Sequence, residues 1–305
     1  MTDPARFTVR QALFVTITMI AFAANSVLCR LALKTTSIDP ASFTTIRLTS
    51  GALTLALIVY TRSKVGDGSR VGVGDEDSGS SPIPGLSGSW PAAIALFTYA
   101  AAFSYAYSAL PAAVGALILF GSVQMTMIAY GLQNGERFKV PQWCGFGLAA
   151  GGLIDLFVPG LSAPDLFSAA LMLLAGIAWG AYSLLGRKLG NPSAATAGNF
   201  IFALPFTLAL SVLMTGSMNL DTRGVGLAVA SGALASGVGY SIWYAVLPSL
   251  TATLAATVQL SVPVIAMLGG VLFLGETLTP RLVVGSLSIL SGIAMVIACR
   301  SRQVK

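Results

Sequence analysis

Three side-chain amides, Asn25, Gln124 and Gln259, fall in the middle of otherwise apolar stretches, and one guanidinium, Arg47, lies about seven residues inside another. An amide offers both donor and acceptor, so each suits the ammonium or carboxylate of a small solute, and equally a hydrogen bond between two helices. Rings give a second signal. Tyr99, Phe103 and Tyr107 recur every four residues and share one helix face. Trp179 stands near Tyr182, and Tyr240 near Trp243 and Tyr244. Tyr107, Tyr244 and Trp243 fall near the ends of apolar stretches and suit an interfacial belt, whereas Tyr99, Phe103, Trp179, Tyr182 and Tyr240 lie deeper and suit the wall of a cavity.

Other chemistries lack their residues. The chain has no histidine, which removes His-based metal sites, general bases and proton relays. Its three cysteines, Cys29, Cys144 and Cys299, lie far apart with no metal or redox spacing. No phosphate-cradling Gly-rich loop with a following Lys is present, so ATP does not drive this chain directly. Asp155, Glu136 and Glu276 sit at or near the ends of apolar stretches, so proton coupling has no mid-span carrier. Facilitated flux is the simpler expectation, with proton exchange left open. No enzyme, cofactor or metal is expected.

The elements that must position these groups are membrane helices. Hydrophobic residues make up 55% of the 305 and charged residues only 9%, against roughly 25% charged in a soluble domain. The net charge of +6 comes without a basic stripe interleaved with aromatics, which argues against nucleic acid. A bilayer core of about 30 Å needs roughly 20 apolar residues per helix. Segmentation on that basis gives ten spans: 11–33, 40–61, 90–108, 111–133, 140–157, 164–187, 193–216, 223–246, 249–274 and 280–299. The first is read as a helix rather than a removed signal, because no small-residue cleavage site follows it. The 62–89 loop is rich in Gly, Ser and Asp and reads as a flexible linker. With ten spans, twelve Lys and Arg residues fall on the side of the termini and three, Lys34, Arg223 and Arg281, on the other. That asymmetry places both termini in the cytoplasm.

The chain also echoes itself. Glu136, Gly145 and Gly152 have the spacing of Glu276, Gly285 and Gly292; AFAANSVLCRLAL at 21–33 matches AWGAYSLLGRKLG at 178–190; and Tyr107-Ser-Ala-Leu-Pro111 matches Tyr244-Ala-Val-Leu-Pro248. The second echo pairs Phe22 with Trp179 and Arg30 with Arg187. Two halves follow, 11–157 and 164–299, each of five helices. Because five is odd, the second half enters the membrane from the opposite side. The expected fold is therefore an all-α integral membrane protein, ten helices in two inverted-topology repeats. Glu136 and Glu276 are expected to favour the start of the helix that follows each, with the glycines allowing close packing.

This pattern resembles the drug/metabolite transporter superfamily, in particular its EamA-type members, and within it bacterial inner-membrane exporters of aromatic and other neutral amino acids. The resemblance implies an exporter with a central site between the halves. It also implies a multi-pass protein of the bacterial inner membrane that works as a monomer, with a small-molecule substrate and the lipid bilayer as its partners.

An inverted repeat puts that site near the bilayer midplane, where interrupted helices free backbone groups. Pro263 is expected to kink the ninth span and Gly121 to loosen the fourth. Arg47 is expected in a structural or gating role, against the alternative that it snorkels to the external interface. Substrate contacts are expected from Asn25, Tyr99, Phe103, Gln124, Trp179, Tyr182, Tyr240 and Gln259. Several cations would be needed for phosphorylated solutes and a mid-span carboxylate for cationic drugs. Elimination leaves neutral or zwitterionic metabolites, amino acids first, with amphipathic drugs, nucleosides or a non-transporting scaffold or channel subunit as alternatives.

Overall fold

Helix starts are written in the sequence by prolines and short polar caps. Pro40, Pro192 and Pro280 open three helices and Pro91 stands in the first turn of another, a position where the missing N–H costs no intrahelical bond. Asp39 accepts from the Ser42 N–H at 2.9 Å, Asp165 from Ser168 at 2.8 Å and Asp221 from Gly224 at 2.8 Å, each satisfying a donor that the first turn leaves open.

The computed structural model describes residues 8–65, 87–135, 137–157, 164–186, 192–250, 255 and 258–301. Glu136, Arg187 and most of the 62–89 loop lie outside these. Among the described residues the chain is helical throughout, with no strand. The helices are α1 (Val9–Thr35), α2 (Pro40–Val65), α3 (Trp90–Tyr107), α4 (Ala112–Gln133), α5 (Val140–Phe157), α6 (Leu166–Gly186) and α7 (Pro192–Leu213). They continue with α8 (Thr222–Ser249), α9 (Ser261–Leu274) and α10 (Pro280–Ser301). Seven of them, α1, α2, α4, α6, α7, α8 and α10, are long and apolar enough to cross a bilayer. Large apolar side chains such as Leu213, Leu272, Phe273 and Phe167 are exposed on the outside of the bundle, a surface that suits lipid and not water. The protein is a multi-pass membrane protein.

Two helices depart from the expected spans. The ninth does not run unbroken from 249 to 274. A 3₁₀ turn covers Leu247–Ser249, Leu260 is a turn residue and α9 begins at Ser261. Ala255, Val258 and Gln259 are helical on the other side of that turn, so the span is interrupted just before Pro263, which lies in the first turn of α9, in keeping with the expected kink. In a continuous helix its ring would clash with the carbonyl four residues back and remove a hydrogen bond; the break just before it avoids both. In α8, Ala230–Val238 is π-helical between α-helical turns at Thr222–Val229 and Gly239–Val246, a departure from the regular helix expected there.

Packing crosses between the first and second parts of the chain. α5 lies against α10, α2 against α7, α3 against α6 and α1 against α8; α4 packs on α6, and α1 on α9. The α5–α10 contact is made by glycines. A Cβ on Gly145 would stand 2.7 Å from the Gly292 carbonyl oxygen, and one on Gly292 would stand 2.5 Å from that of Gly145. A Cβ on Gly152 would lie 3.2 Å from the Gly285 oxygen. These are the four glycines of the internal echo, and they meet in exchanged pairs.

Candidate functional site

Rings from five helices converge in the middle of the bundle. Tyr99 and Phe103, one turn apart on α3, have ring centres 5.4 Å from each other. Trp179 on α6 lies 4.8 Å from Tyr99, stacks on Tyr182 at 5.3 Å and stacks on Tyr240 of α8 at 5.4 Å. Phe22 of α1 closes one side at 5.5 Å from Tyr240, and Phe200 of α7 another at 6.1 Å. Such spacings are those of favourable offset and edge-on contacts. Tyr99, Phe103, Tyr182 and Tyr240 are buried, while Trp179 and Phe22 are half-buried. All five rings expected to line a cavity thus belong to one cluster. Phe22 and Phe200 were not anticipated, although the echo that pairs Phe22 with Trp179 pointed to the first of them.

Arg47 of α2 reaches into this cluster and does not snorkel. It is 1% exposed, its Nη2 donates to the Tyr99 hydroxyl at 2.8 Å, and its guanidinium carbon lies 4.8 Å from the centre of the Phe103 ring and 5.2 Å from that of Tyr99. The electron-rich ring faces offset part of the cost of burying the cation.

The amides divide. Asn25 is buried against the π-helical segment of α8, where its Oδ1 accepts from Ser231 at 2.8 Å and from Ser236 at 3.4 Å. Its acceptor is thereby used between helices, and its Nδ2 donors are what it has to offer a ligand. Gln124 is buried on α4, and Gln259 is half-buried just before the break at Leu260. Gly121 lies within the unbroken α4, and a Cβ there would meet Ile289 of α10 at 3.5 Å and Leu153 of α5 at 3.6 Å. The helix is not interrupted at Gly121, since a glycine keeps its backbone N–H and can continue the ladder.

The π-helical turns matter to the site because they carry Ser231 and Ser236 and let α2 come close. A Cβ on Gly232 would overlap the Arg47 carbonyl oxygen and the Ser50 hydroxyl. The backbone that bears Arg47 is thus seated directly on the π segment. Interruptions of this kind occur disproportionately at functional sites.

The EamA-like transporter family matches residues 10–158 and 166–298. The chain belongs to the EamA-like transporter family. An uncharacterized protein of Pseudomonas aeruginosa is 50% identical over 291 residues, covering 95% of this chain and 96% of that one. The threonine/homoserine exporter RhtA of Escherichia coli K12 is 33% identical over 119 residues, 38% of this chain and 40% of RhtA. A probable amino-acid metabolite efflux pump of Salmonella typhimurium is 26% identical over 200 residues, 60% of this chain and 67% of the pump. A solved crystal structure shares the fold with a TM-score of 0.60 at 16% identity, covering 95% of this chain and 99% of that one.

In this EamA-like transporter, ion pairs and caps tie one end of the bundle. Glu276, expected to favour its own helix α10, instead accepts from the Ala112 N–H of α4 with both oxygens at 2.9 Å. Gly270 leaves it room, since a Cβ there would lie 2.5 Å from Oε2. Arg30 bridges outward from it. Its Nε lies 3.7 Å from Glu276, and its Nη1 donates to the carbonyls of Tyr107 at 3.0 Å and Ser108 at 2.9 Å. The tight α3–α4 corner is thereby held by an acid on one helix start and a cation on the other helix end. Tyr107 is part of that corner and not of an interfacial belt. It is fully buried, its hydroxyl donates to the Ala112 carbonyl at 3.3 Å, and its ring fills the space beside Gly115. Trp243 is likewise buried, edge-on to Phe22 at 5.9 Å.

At the same end, Lys34 donates to the Leu274 carbonyl at 3.2 Å, and Asp39 accepts from the Asn219 N–H at 2.9 Å while its own N–H donates to the Asn219 carbonyl at 3.2 Å. Partial burial raises the Asp39 carboxyl, but hydrogen bonds from Ser42 and from the backbone of Asn219 and Ala41 outweigh it and hold the group below its ordinary value.

Proposed function

We propose that the chain is a secondary transporter that exports small neutral or zwitterionic metabolites, amino acids first and especially aromatic or large apolar ones. Two five-helix halves, 11–157 and 164–299, rock around the aromatic cluster in alternating access. The observation that carries this reading is the contact of Tyr99 with Trp179 at 4.8 Å. The two rings come from opposite halves and touch, so a solute that enters by separating them is gripped by both and released when the halves part. Ring walls with few charges suit a solute with an apolar body and a polar end.

The exchanged glycine pairs of α5 and α10 and the crosswise packing of the other helices support an inverted repeat of ten helices. The match of one family to 10–158 and again to 166–298 supports it too. The break before Pro263 and the π segment of α8 are the points where the backbone has alternative hydrogen-bonding arrangements to use during rocking. The relatives named as a threonine/homoserine exporter and a probable amino-acid metabolite efflux pump support the substrate class. The Lys and Arg asymmetry supports cytoplasmic termini; the proposed setting is the bacterial inner membrane, with the chain working as a monomer.

Purified protein in liposomes tests this. Saturable flux of labelled large neutral amino acids is the expected result. Preferential flux of nucleosides or quaternary amines would select the alternative substrates; non-saturable leakage, or no flux of any of these, would sink the carrier reading.

A further inference from the structure

Two arginines among the described residues reach into the bundle and are used differently. Arg30 is half-buried at the corner it holds; its Nη1 donates to two carbonyls, and its Nε, though not hydrogen-bonded, has the Glu276 carboxylate 3.7 Å away as counter-charge. Arg47 is the more deeply buried, yet among the described residues nothing accepts from its Nε or Nη1 and no carboxylate pairs with it. A guanidinium carries five N–H donors, one on Nε and two on each Nη. With Nη2 directed at Tyr99, the donors on both Nε and Nη1 are unmet. Burying a cation in this condition is strongly unfavourable, and a tyrosine hydroxyl and two ring faces return only part of the cost.

Each edge of the guanidinium keeps a usable donor beside Nη2: Nε on one side, Nη1 on the other. That is the geometry that takes a planar carboxylate with two parallel hydrogen bonds. The group lies within the cluster, because its carbon sits 4.8 Å from the centre of Phe103 and its Nη2 is bonded to Tyr99, whose ring in turn touches Trp179. Among the described residues only one guanidinium is present there, which matches a single negative charge and falls short of what a phosphoryl group demands.

We propose that Arg47 is the carboxylate-binding subsite of the transport site. The α-carboxylate of a zwitterionic substrate pairs with one edge of the guanidinium, while Tyr99, Phe103 and Trp179 receive the apolar part. This rests on the reading of the chain as an exporter of amino acids and assigns Arg47 a direct contact in place of a purely gating role. An arriving carboxylate also removes the penalty of the unpaired cation, so substrate stabilises the conformation in which the rings close.

The test compares large neutral L-amino acids with their C-terminal amides, which keep the side chain and ammonium but lack the carboxylate, in liposomes containing the wild-type protein. The amides are expected to be carried about tenfold more slowly or worse, since each hydrogen bond to a charged group contributes on that scale. The deaminated acids are expected to compete. Arg47→Gln is expected to abolish the preference for acid over amide, and Arg47→Lys, which keeps the charge without the fork, to restore part of it. Melting temperature and elution profile establish that each variant is folded; should Arg47→Gln fail to fold, the wild-type comparison decides alone. Equal transport of acids and amides by the wild type would overturn the subsite while leaving amino-acid export standing. A folded Arg47→Gln that retains the wild-type preference would do the same. Absence of flux for every amino acid and amide would remove both.

Discussion

The Glu276 carboxylate caps Ala112, 164 positions earlier in the chain, with both oxygens 2.9 Å from its N–H. The acid that stands just before α10 therefore serves α4, and it is held in place by Arg30, whose guanidinium also collects the last carbonyls of α3. Replacing Glu276 with Ala is expected to cost about 2 kcal/mol, because it orphans a buried N–H and leaves Arg30 without its counter-charge. Glu276→Gln, which keeps one acceptor oxygen, is expected to cost about half as much. Thermal unfolding in detergent measures both, and an unchanged midpoint for the alanine variant would show that the cap contributes nothing.

The glycine contact between α5 and α10 makes a graded prediction. Gly145→Ala and Gly292→Ala each place a methyl group against a backbone carbonyl, and are expected to destabilise by about 1–3 kcal/mol through forced separation of the helices. Gly147→Ala, on the same helix with nothing within 4 Å of its Cβ, is expected to be neutral or to gain up to about 1 kcal/mol from helix propensity. Melting temperatures for the three variants should separate cleanly; similar losses at all three positions would refute the contact.

Asp39 predicts a pH response at the end of the bundle. Its carboxyl is held below the ordinary value of 3.8 in the folded protein, so its contribution is fully present above that value and is lost as pH falls through the lower, folded value. Asp39→Ala is expected to cost about 1 kcal/mol at neutral pH, the usual value of a helix N-cap. The gap between variant and wild type should narrow on acidification. A pH series of unfolding midpoints checks this, and a gap that widens in acid would contradict the assigned direction.

The Asn25 amide ranks its two serine donors. Ser231, at 2.8 Å, is expected to contribute about 1 kcal/mol, and Ser236, at 3.4 Å, clearly less. Alanine substitutions at the two positions, compared by thermal unfolding, would exclude this assignment if Ser236→Ala proved the more damaging.

Composition and spacing alone determined that this is an all-helical membrane protein, because lipid permits few spanning structures and each helix must bring its own apolar length, prolines and caps. The echo of Glu136, Gly145 and Gly152 in Glu276, Gly285 and Gly292 marked glycines suited to close helix packing, since close approach requires missing side chains, but not that the two copies would pack on each other. The ring positions Tyr99, Phe103, Trp179, Tyr182 and Tyr240 were legible as aromatic groups at helical spacing, but depth read from the sequence did not separate them from Tyr107 and Trp243, which are buried as well.

Tertiary structure decided what those residues meet. Whether Arg47 snorkels or turns inward depends on the rings and the π segment supplied by α3 and α8, far away in sequence. The partner of Glu276 depends on α4 arriving beside the start of α10, which no local pattern specifies. The break ahead of Pro263 and the π turns at Ala230–Val238 likewise reflect a contest between local helix continuity and close packing on neighbouring helices, one that is settled only when those neighbours are in place.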